Sequence, residues 1–216
     1  MIPVLKAVDL QCVRGNRELF RGLSFELAAG DMLWVQGPNG SGKTSLLRLL
    51  CGLLRPEAGA VRWKGANVLA AREAFNADLL YSGHAVAVKD DLSGPENLRY
   101  AAAQAGMRAT TVEAASALQE FGLQGCEQVP SRWLSQGQKR RVGLARLALA
   151  ADKPLWILDE PFTALDTQAI QLVQSMLSQH LSRDGVVVFT SHQEVAVSEA
   201  RVKRLQLNGD GVRVAH

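Results

Sequence analysis

The sequence predicts an α/β fold with a buried, mostly parallel sheet, a small antiparallel sheet and an inserted helical subdomain. Short, nearly all-apolar runs bounded by turn residues are typical of strands buried on both faces of a parallel sheet. Four runs fit this description: MLWVQ, LLYS, PLWILD and GVVVFTS. More polar strand-like segments stand near both ends of the chain, and consecutive helical patterns without an intervening strand fill residues 95–151.

The composition fits one domain of this kind. The 216 residues can form one domain with a substantial core and a small subdomain, and 47% hydrophobic and 21% charged residues are ordinary globular values. We expect a single domain over residues 1–216, with a core at about 1–84 and 152–216 and a helical subdomain at about 93–151. The net charge of +3 is too small to indicate a nucleic-acid partner.

The cysteines and the start of the chain predict a cytosolic location. Cys12, Cys51 and Cys126 show no CxxC spacing, which favours free thiols in a reducing compartment. The opening residues lack a basic region followed by a long apolar core, so we expect no signal peptide. No segment approaches the roughly 18 apolar residues that a transmembrane helix requires.

The individual elements follow from local patterns. We predict the antiparallel sheet from VLKAVDLQCV and LSFELA, separated by the polar RGNRE, together with GAVRW and the terminal VRVAH. The run MLWVQ starts the parallel sheet and precedes a helix, TSLLRLLCGL. The helical subdomain is predicted from ENLRYAAAQAG, TTVEAASALQEFG and GQKRRVGLARLALAAD.

A phosphate-binding loop is predicted at residues 37–44, where GPNGSGKT is a full GxxxxGK[ST] match between a strand and a helix. Its glycines let backbone N–H groups turn toward an anion, and the helix adds its positive N-terminal dipole. Lys43 reaches the β- and γ-phosphates and Thr44 offers its hydroxyl to Mg²⁺. An ordinary glycine-rich turn is the alternative, which the flanking strand and helix disfavour. The candidate ATP-binding residues here are Gly37, Pro38, Asn39, Gly40, Ser41, Gly42, Lys43, Thr44 and Ser45.

The segment LWILDE at residues 155–160 supplies two carboxylates at the end of a buried strand. The carboxyl ends of parallel strands meet at one edge of the sheet, so Asp159 and Glu160 are expected beside the phosphate loop. Asp159 would hold Mg²⁺ through water, and Glu160 would polarise the water that attacks the γ-phosphate. Alone this string is a weak signal; its weight comes from the phosphate loop upstream.

The segment LSQGQKRR at residues 134–141 completes a set of motifs that resembles the ATP-binding cassette (ABC) ATPases. The others are GPNGSGKT, LWILDE, TALD at residues 163–166 and His192 within FTSH, and they occur in the family's order. The resemblance spans essentially the whole chain and implies a P-loop NTPase (RecA-like) core that hydrolyses ATP with Mg²⁺.

The resemblance also implies a head-to-tail homodimer that buries ATP between Lys43 of one copy and the signature segment of the other. Ser135 and the N–H of Gly137 stand at a helix N-terminus, which favours anions. The family's trans contacts correspond here to Ser135, Gly137, Gln138 and Asp166. His192 would hold the γ-phosphate and orient Glu160, although a histidine at that place could instead simply cap the structure.

Two positions depart from the family pattern. Residues 1–19 contain no aromatic residue to stack on adenine; Arg14 or Val13 stands near the expected place, and a guanidinium can stack on a base. His84 takes the place of a glutamine that contacts Mg²⁺ and the attacking water. Because Mg²⁺ prefers oxygen ligands, we expect His84 to contact it through water; a solvent-facing loop histidine is the alternative.

The partner implied by the resemblance is an integral membrane ABC subunit. DNA-repair relatives insert a long coiled coil and ribosome-acting relatives carry two cassettes, whereas this chain has neither. The membrane subunit would dock between core and helical subdomain, near residues 89–97, and would hold the chain peripherally at the cytoplasmic face of the inner membrane.

More narrowly, the chain is similar to the ATP-binding subunits of bacterial cytochrome c maturation complexes. This resemblance rests on the small size, CVRGNRELFRGLSFEL, QGPNGSGKTSLLRLL and the YSGH segment. It implies cytochrome c maturation membrane proteins as partners, with closure of the ATPase driving either haem export or release of a haem-loaded chaperone. A subunit of a lipoprotein-release or cell-division ABC system is the alternative.

Overall fold

The computed structural model describes residues 3–192, 201–208 and 211–215. The strands are β1 (Pro3–Arg14), β2 (Arg17–Ala28), β3 (Asp31–Gln36), β4 (Ala58–Trp63), β5 (Ala66–Asn67), β6 (Leu79–Ser82), β7 (Leu155–Leu158), β8 (Val186–Thr190), β9 (Arg201–Asn208) and β10 (Gly211–Ala215). The α-helices are α1 (Lys43–Leu50), α2 (Arg72–Asp78), α3 (Gly94–Gln104), α4 (Thr111–Glu120), α5 (Gln136–Leu149) and α6 (Thr167–Ser182). A 3-10 helix covers Ser131–Trp133.

The smaller sheet is antiparallel, with strand order β2-β1-β4-β5. Its first two strands form a hairpin that turns at Gly15 and Asn16, so most of the polar RGNRE segment extends the strands instead of separating them. Gly15 adopts a φ of 59°, a left-handed conformation that glycine tolerates in a tight turn. The prediction that VRVAH joins this sheet is wrong: β10 pairs with β9, at the edge of the larger sheet.

The larger sheet has the order β10-β9-β3-β8-β7-β6, and all its pairings are parallel except β10 with β9. Successive side chains of a strand point to opposite faces, and in β3, β7 and β8 both faces are buried. In β3, Leu33 and Val35 join the core shared with the small sheet, whereas Met32 and Trp34 join the core shared with the helices. This double burial explains the all-apolar runs.

Three helices, α3, α4 and α5, follow β6 without an intervening strand, and capping residues fix where they begin. Thr110 accepts the N–H of Glu113 and Ser135 accepts that of Gln138, and each side chain three residues on bonds back to the cap. These helices pack on one another and on the outer face of the larger sheet. In the part of the chain that the structure describes, no helix is long and apolar enough to cross a membrane.

Candidate functional site

The phosphate loop connects β3 to α1 and depends on its glycines. Gly37, Gly40 and Gly42 have φ values of 148°, 76° and 101°, which side chains with a Cβ rarely adopt. A Cβ on Gly37 would also lie 2.4 Å from the carbonyl oxygen of Leu207. The Lys43 ammonium donates to the carbonyl oxygens of Gly37 and Pro38, at 2.7 and 3.2 Å. The chain therefore curls around the space in front of α1, as a phosphate loop must.

Asp159 lies at the end of β7 and joins this loop to the neighbouring strand. Its Oδ2 accepts a hydrogen bond from Thr44 Oγ1 at 2.9 Å, and its Oδ1 accepts one from Thr190 Oγ1 at 2.8 Å. The Asp159 side chain is buried, and parallel pairing of β7 with β8 brings Thr190 beside it. The first carboxylate of LWILDE is thus fixed between two hydroxyl groups at the carboxyl edge of the sheet.

Glu160 follows Asp159 in an unusual backbone conformation, with φ at 53°. Its N–H donates to Thr190 Oγ1 at 2.8 Å. Its Oε1 is buried, has no hydrogen-bond partner and lies 3.4 Å from Nε2 of His192, whose side chain is 57% exposed. An unbonded carboxylate oxygen beside an open cleft is a group available to accept a proton or a hydrogen bond.

One open cleft of about 410 Å³ brings together most of the residues that the sequence singled out. Its lining includes Arg14, Asn39, Gly40, Gly42, Lys43, Thr44, Ser45, His84, Asp159, Glu160 and His192. Gly37, Pro38 and Ser41 belong to the same loop but do not line the cleft. Ser135, Gly137, Gln138 and Asp166 are also absent from its lining.

The signature segment begins α5 on the helical part of the chain. The Ser135 hydroxyl accepts the N–H of Gln138 at 3.2 Å, and Gln138 Oε1 accepts the N–H of Ser135 at 2.8 Å. Gly137 lies close to the TALD turn at residues 163–166, because a Cβ there would stand 3.5 Å from the carbonyl oxygen of Ala164. Asp166 caps α6 by accepting the N–H of Ala169 at 2.8 Å. These residues are exposed or half-buried and stand at the N-termini of two helices, α5 and α6.

The sequence predicts that Arg14 stacks on the nucleotide base and that His84 contacts Mg²⁺ through water. Arg14, at the end of β1, lines the cleft together with Leu19, whereas Val13 is not among the lining residues. His84 follows β6, is exposed, and shares the cleft with Glu160. The structure thus puts both side chains at the cleft, and their contacts with a nucleotide or a metal stay predictions.

The oxygens in the cleft suit a magnesium ion. Mg²⁺ prefers hard oxygen ligands and is usually held by one or two protein groups together with substrate phosphates and water. The Thr44 hydroxyl and the Asp159 carboxylate form such a pair, 2.9 Å apart. No group of three or more histidine, cysteine or acidic side chains among the described residues is arranged to hold a metal. The donor set fits an ion that arrives with a phosphate ligand.

Two residues of the site were not predicted from the sequence. Thr190 bonds both Asp159 and Glu160, and its signal was a hydroxyl residue ending an otherwise apolar strand. Arg140 stands within LSQGQKRR, and its guanidinium donates to the carbonyl oxygens of Asp159, Glu160 and His84. Its signal was its spacing from Leu144 and Leu147, which places it on the buried face of α5.

The sequence of residues 20–163 matches the family model described as ABC transporter, in agreement with this geometry. The chain belongs to the ABC transporter family. As a member of it, this cassette binds and hydrolyses ATP. The cytochrome c biogenesis ATP-binding export protein CcmA of Nitrosospira multiformis is 50% identical over 206 residues, covering 95% of this chain and 100% of that protein. The protein of the same name from Aromatoleum aromaticum is 53% identical over 192 residues, covering 89% and 90%.

Solved structures show the same fold. A structure described as the ATP binding subunit of an ABC transporter matches the cassette with a TM-score of 0.84 at 24% identity, covering 98% of this chain and 89% of the other. The cassette MJ0796, described as a dimer in a post-hydrolysis state bound to ADP and Pi, gives 0.79 at 20% identity, covering 98% and 97%. The predicted family and α/β fold class, with its antiparallel sheet and its helices, are confirmed.

Proposed function

We propose that this cassette is the ATP-hydrolysing subunit of a membrane ABC complex in c-type cytochrome biogenesis. The observation that carries the proposal is the sequence identity of 50% and 53%, over 95% and 89% of this chain, with two proteins named for that process. In the same proposal the chain forms one domain, with core and helical parts divided as the sequence predicts, and binds peripherally at the cytoplasmic face of the inner membrane.

The phosphate loop binds the nucleotide in this proposal. The backbone N–H groups of residues 39–45 surround the phosphates, and the Lys43 ammonium gives up carbonyl contacts to reach the β- and γ-phosphates. Each of those contacts is a bond to a neutral acceptor, whereas a phosphate oxygen is charged and forms a stronger hydrogen bond. Arg14 lies against the base, where its planar guanidinium replaces the missing aromatic ring.

Thr44 and Asp159 would hold Mg²⁺. When bound, the ion neutralises charge on the phosphates and fixes their orientation. Glu160 accepts a proton from the attacking water through its unbonded Oε1, and His192, 3.4 Å away, orients this carboxylate and bonds the γ-phosphate. His84, at the same cleft, would contact the ion through a water.

A second copy supplies the rest of the site. Ser135, Gly137 and Gln138 are exposed or half-buried at the start of α5 and lie outside the chain's own cleft. The cassette MJ0796 is described as a dimer, which supports a pair of copies. In this proposal the pair is head-to-tail, and these residues face the partner's γ-phosphate. Asp166, which caps α6 beside the signature turn, lies across the same interface. Each dimer would bury two ATP molecules.

The membrane subunit docks in a groove between β6 and α3. This groove, about 480 Å³ in volume, is lined by Lys89, Tyr100 and Met107, with the Lys89 ammonium 4.7 Å from the Tyr100 ring centroid. Asn97 is buried and fixes the groove's edge by bonding both the N–H and the carbonyl of Lys89, at 2.7 and 3.0 Å. A segment of a cytochrome c maturation membrane protein is the proposed occupant.

Reconstitution tests the proposal directly. The full chain is assembled with its membrane subunits in vesicles, and ATP-dependent haem movement is measured beside release of a haem-loaded chaperone, with the Glu160→Gln complex as the matched control. Either activity, present in the wild type and lost in the variant, supports the proposal and identifies the step. ATP hydrolysis that affects neither haem nor chaperone would contradict a role in cytochrome c biogenesis.

A further inference from the structure

Arg140 connects the signature helix to the backbone of the hydrolytic centre. Its side chain is 6% exposed. Nη2 donates to the carbonyl oxygens of Glu160 and, at 3.3 Å, of Asp159, and Nη1 donates to that of His84 at 3.1 Å. No ion pair in the part of the chain that the structure describes includes Arg140. The guanidinium therefore forms its hydrogen bonds with main-chain carbonyl groups of the site.

The conformation of Glu160 requires such support. Its φ of 53° is unfavourable for any residue with a Cβ, so neighbouring groups must hold the backbone there. Thr190 accepts the Glu160 N–H at 2.8 Å on one side, and Arg140 donates to the carbonyl oxygens of Asp159 and Glu160 on the other. The peptide group before the Glu160 Cα is thus held by both Thr190 and Arg140 and the one after it by Arg140, and with them the direction of the carboxylate.

Charge favours the same arrangement. Burial lowers the pKa of the Arg140 guanidinium, while the nearby carboxylates of Asp159 and Glu160 raise it. A guanidinium presents its N–H donors in a rigid planar fork, so one side chain can bond three carbonyl groups at fixed angles. Loss of the fork would free the loop after β6 and the turn after β7 together.

We propose that Arg140 is a positioning residue for ATP hydrolysis: it holds the Glu160 backbone in its left-handed conformation and ties the loop of His84 to it. This inference rests on the role proposed above for Glu160. Ser135 caps the helix that carries Arg140, so this side chain joins the signature helix to the Glu160 backbone. A purely structural role, covering the free edge of β6, is the alternative.

Arg146 provides a matched control for that alternative. It lies on the same helix, its guanidinium donates to the carbonyl oxygen of Tyr81 in β6, and burial lowers its pKa to about 10. It does not line the cleft that contains Glu160. Arg140→Gln and Arg146→Gln each remove a charged donor from a backbone carbonyl of the same region, but only the first touches the hydrolytic centre.

The experiment measures steady-state ATP hydrolysis, ATP affinity and amide hydrogen exchange of the full chain in these variants. We expect Arg140→Gln to lower kcat about 10- to 100-fold, since a misplacement of about 1 Å can cost that much, with the Kd for ATP within about threefold of wild type. Exchange should accelerate in the peptide spanning residues 155–166. Arg146→Gln should keep kcat within about threefold and leave that peptide protected. Arg140→Lys, a single-headed donor, should recover part of the lost kcat.

The possible outcomes distinguish failure of the Arg140 positioning role from failure of the role proposed for Glu160. ATP affinity reports whether each variant retains the folded phosphate loop, and rates are expressed per ATP-binding molecule. Equal losses of kcat in Arg140→Gln and Arg146→Gln, or unchanged kcat and exchange in Arg140→Gln, overturn the positioning role. If Glu160→Gln itself turns over at the wild-type rate, the assignment of Glu160 fails instead. If Arg140→Gln does not fold, Arg140→Lys is the test. A wild-type kcat in Arg140→Lys would then overturn the positioning role.

Discussion

The phosphate loop and the signature segment are both built at the start of a helix, yet the chain completes them differently. At the phosphate loop, glycines open the backbone, and Thr44 and Asp159 converge on one cleft where an oxygen of Glu160 stays unbonded. At the signature segment, Ser135 and Gln138 satisfy each other's backbone N–H groups in a finished cap. The first region is preorganised for a reaction, whereas the second is a stable surface.

This difference bears on how the signature segment could contact a nucleotide. A serine hydroxyl has one O–H donor and two acceptor positions. Accepting the Gln138 N–H uses one acceptor position and leaves the O–H of Ser135 free to donate, so a partner's phosphate need not break the cap. The cap and the proposed trans contact are therefore compatible, and the two regions can be tested separately.

The largest effect is expected at the preorganised region, from Glu160→Gln. The substitution removes the proton acceptor while keeping size and shape, so hydrolysis should slow at least about 10²-fold with ATP binding intact. Calorimetric ATP affinity and phosphate release measure the two quantities, and light scattering should detect a dimer that accumulates with ATP. Wild-type phosphate release in this variant would remove Glu160 from the mechanism.

A smaller effect is expected at the signature segment, from Ser135→Arg. The bulky side chain should leave ATP binding by one copy intact but hinder the closed dimer, lowering hydrolysis at least about tenfold. Thr110→Arg is the matched control, because Thr110 is also an exposed cap with a capping box, at the start of α4. Both substitutions cost about 1 kcal/mol of cap stability. Equal activity of the two variants would show that Ser135 is only a cap.

Sequence patterns predicted the preorganised region better than the fold around it. The doubly buried strands β3, β7 and β8 produce all-apolar runs, and the motif residues follow those runs directly, so their meeting at one edge of the sheet could be anticipated. By contrast, β9 reads RVKRLQLN, where Lys203 and Arg201 at its start pair with the buried Asp31. Because this segment looks polar, the sequence predicted neither the strand nor its pairing with β10.

The supporting contacts of the site were harder to predict. Arg140 and Thr190 act on the backbone of Asp159 and Glu160, and such contacts depend on three-dimensional neighbours that no motif spacing specifies. The left-handed φ of Glu160 likewise has no mark in the sequence, since glutamate ordinarily avoids it. The side chains that meet at the cleft can be predicted from residue type and position, whereas the groups that hold their backbone require the structure.

A pH effect on stability should arise away from both regions, at His180 in α6. Burial lowers the pKa of His180 from 6.5 to about 4, and its ring stacks on Trp156 with centroids 4.0 Å apart. Between these values the unfolded chain binds more protons, so stability falls as pH falls, by about 2 kcal/mol from pH 7 to pH 5. Denaturant unfolding should show this loss in the wild type, and His180→Phe should reduce it. The same slope in both proteins would contradict the assignment.

The smallest effect is expected from His84→Gln, which tests how the open side of the cleft is completed. Glutamine offers an oxygen where a neutral imidazole offers an accepting nitrogen, so ATPase activity near neutral pH should stay within about threefold of wild type. Alanine offers no acceptor, so His84→Ala should lower the activity more than His84→Gln does. Steady-state ATP hydrolysis of the two variants measures the difference. Wild-type activity in His84→Ala would make His84 a solvent-facing loop residue, and the cleft would then end at Glu160 and His192.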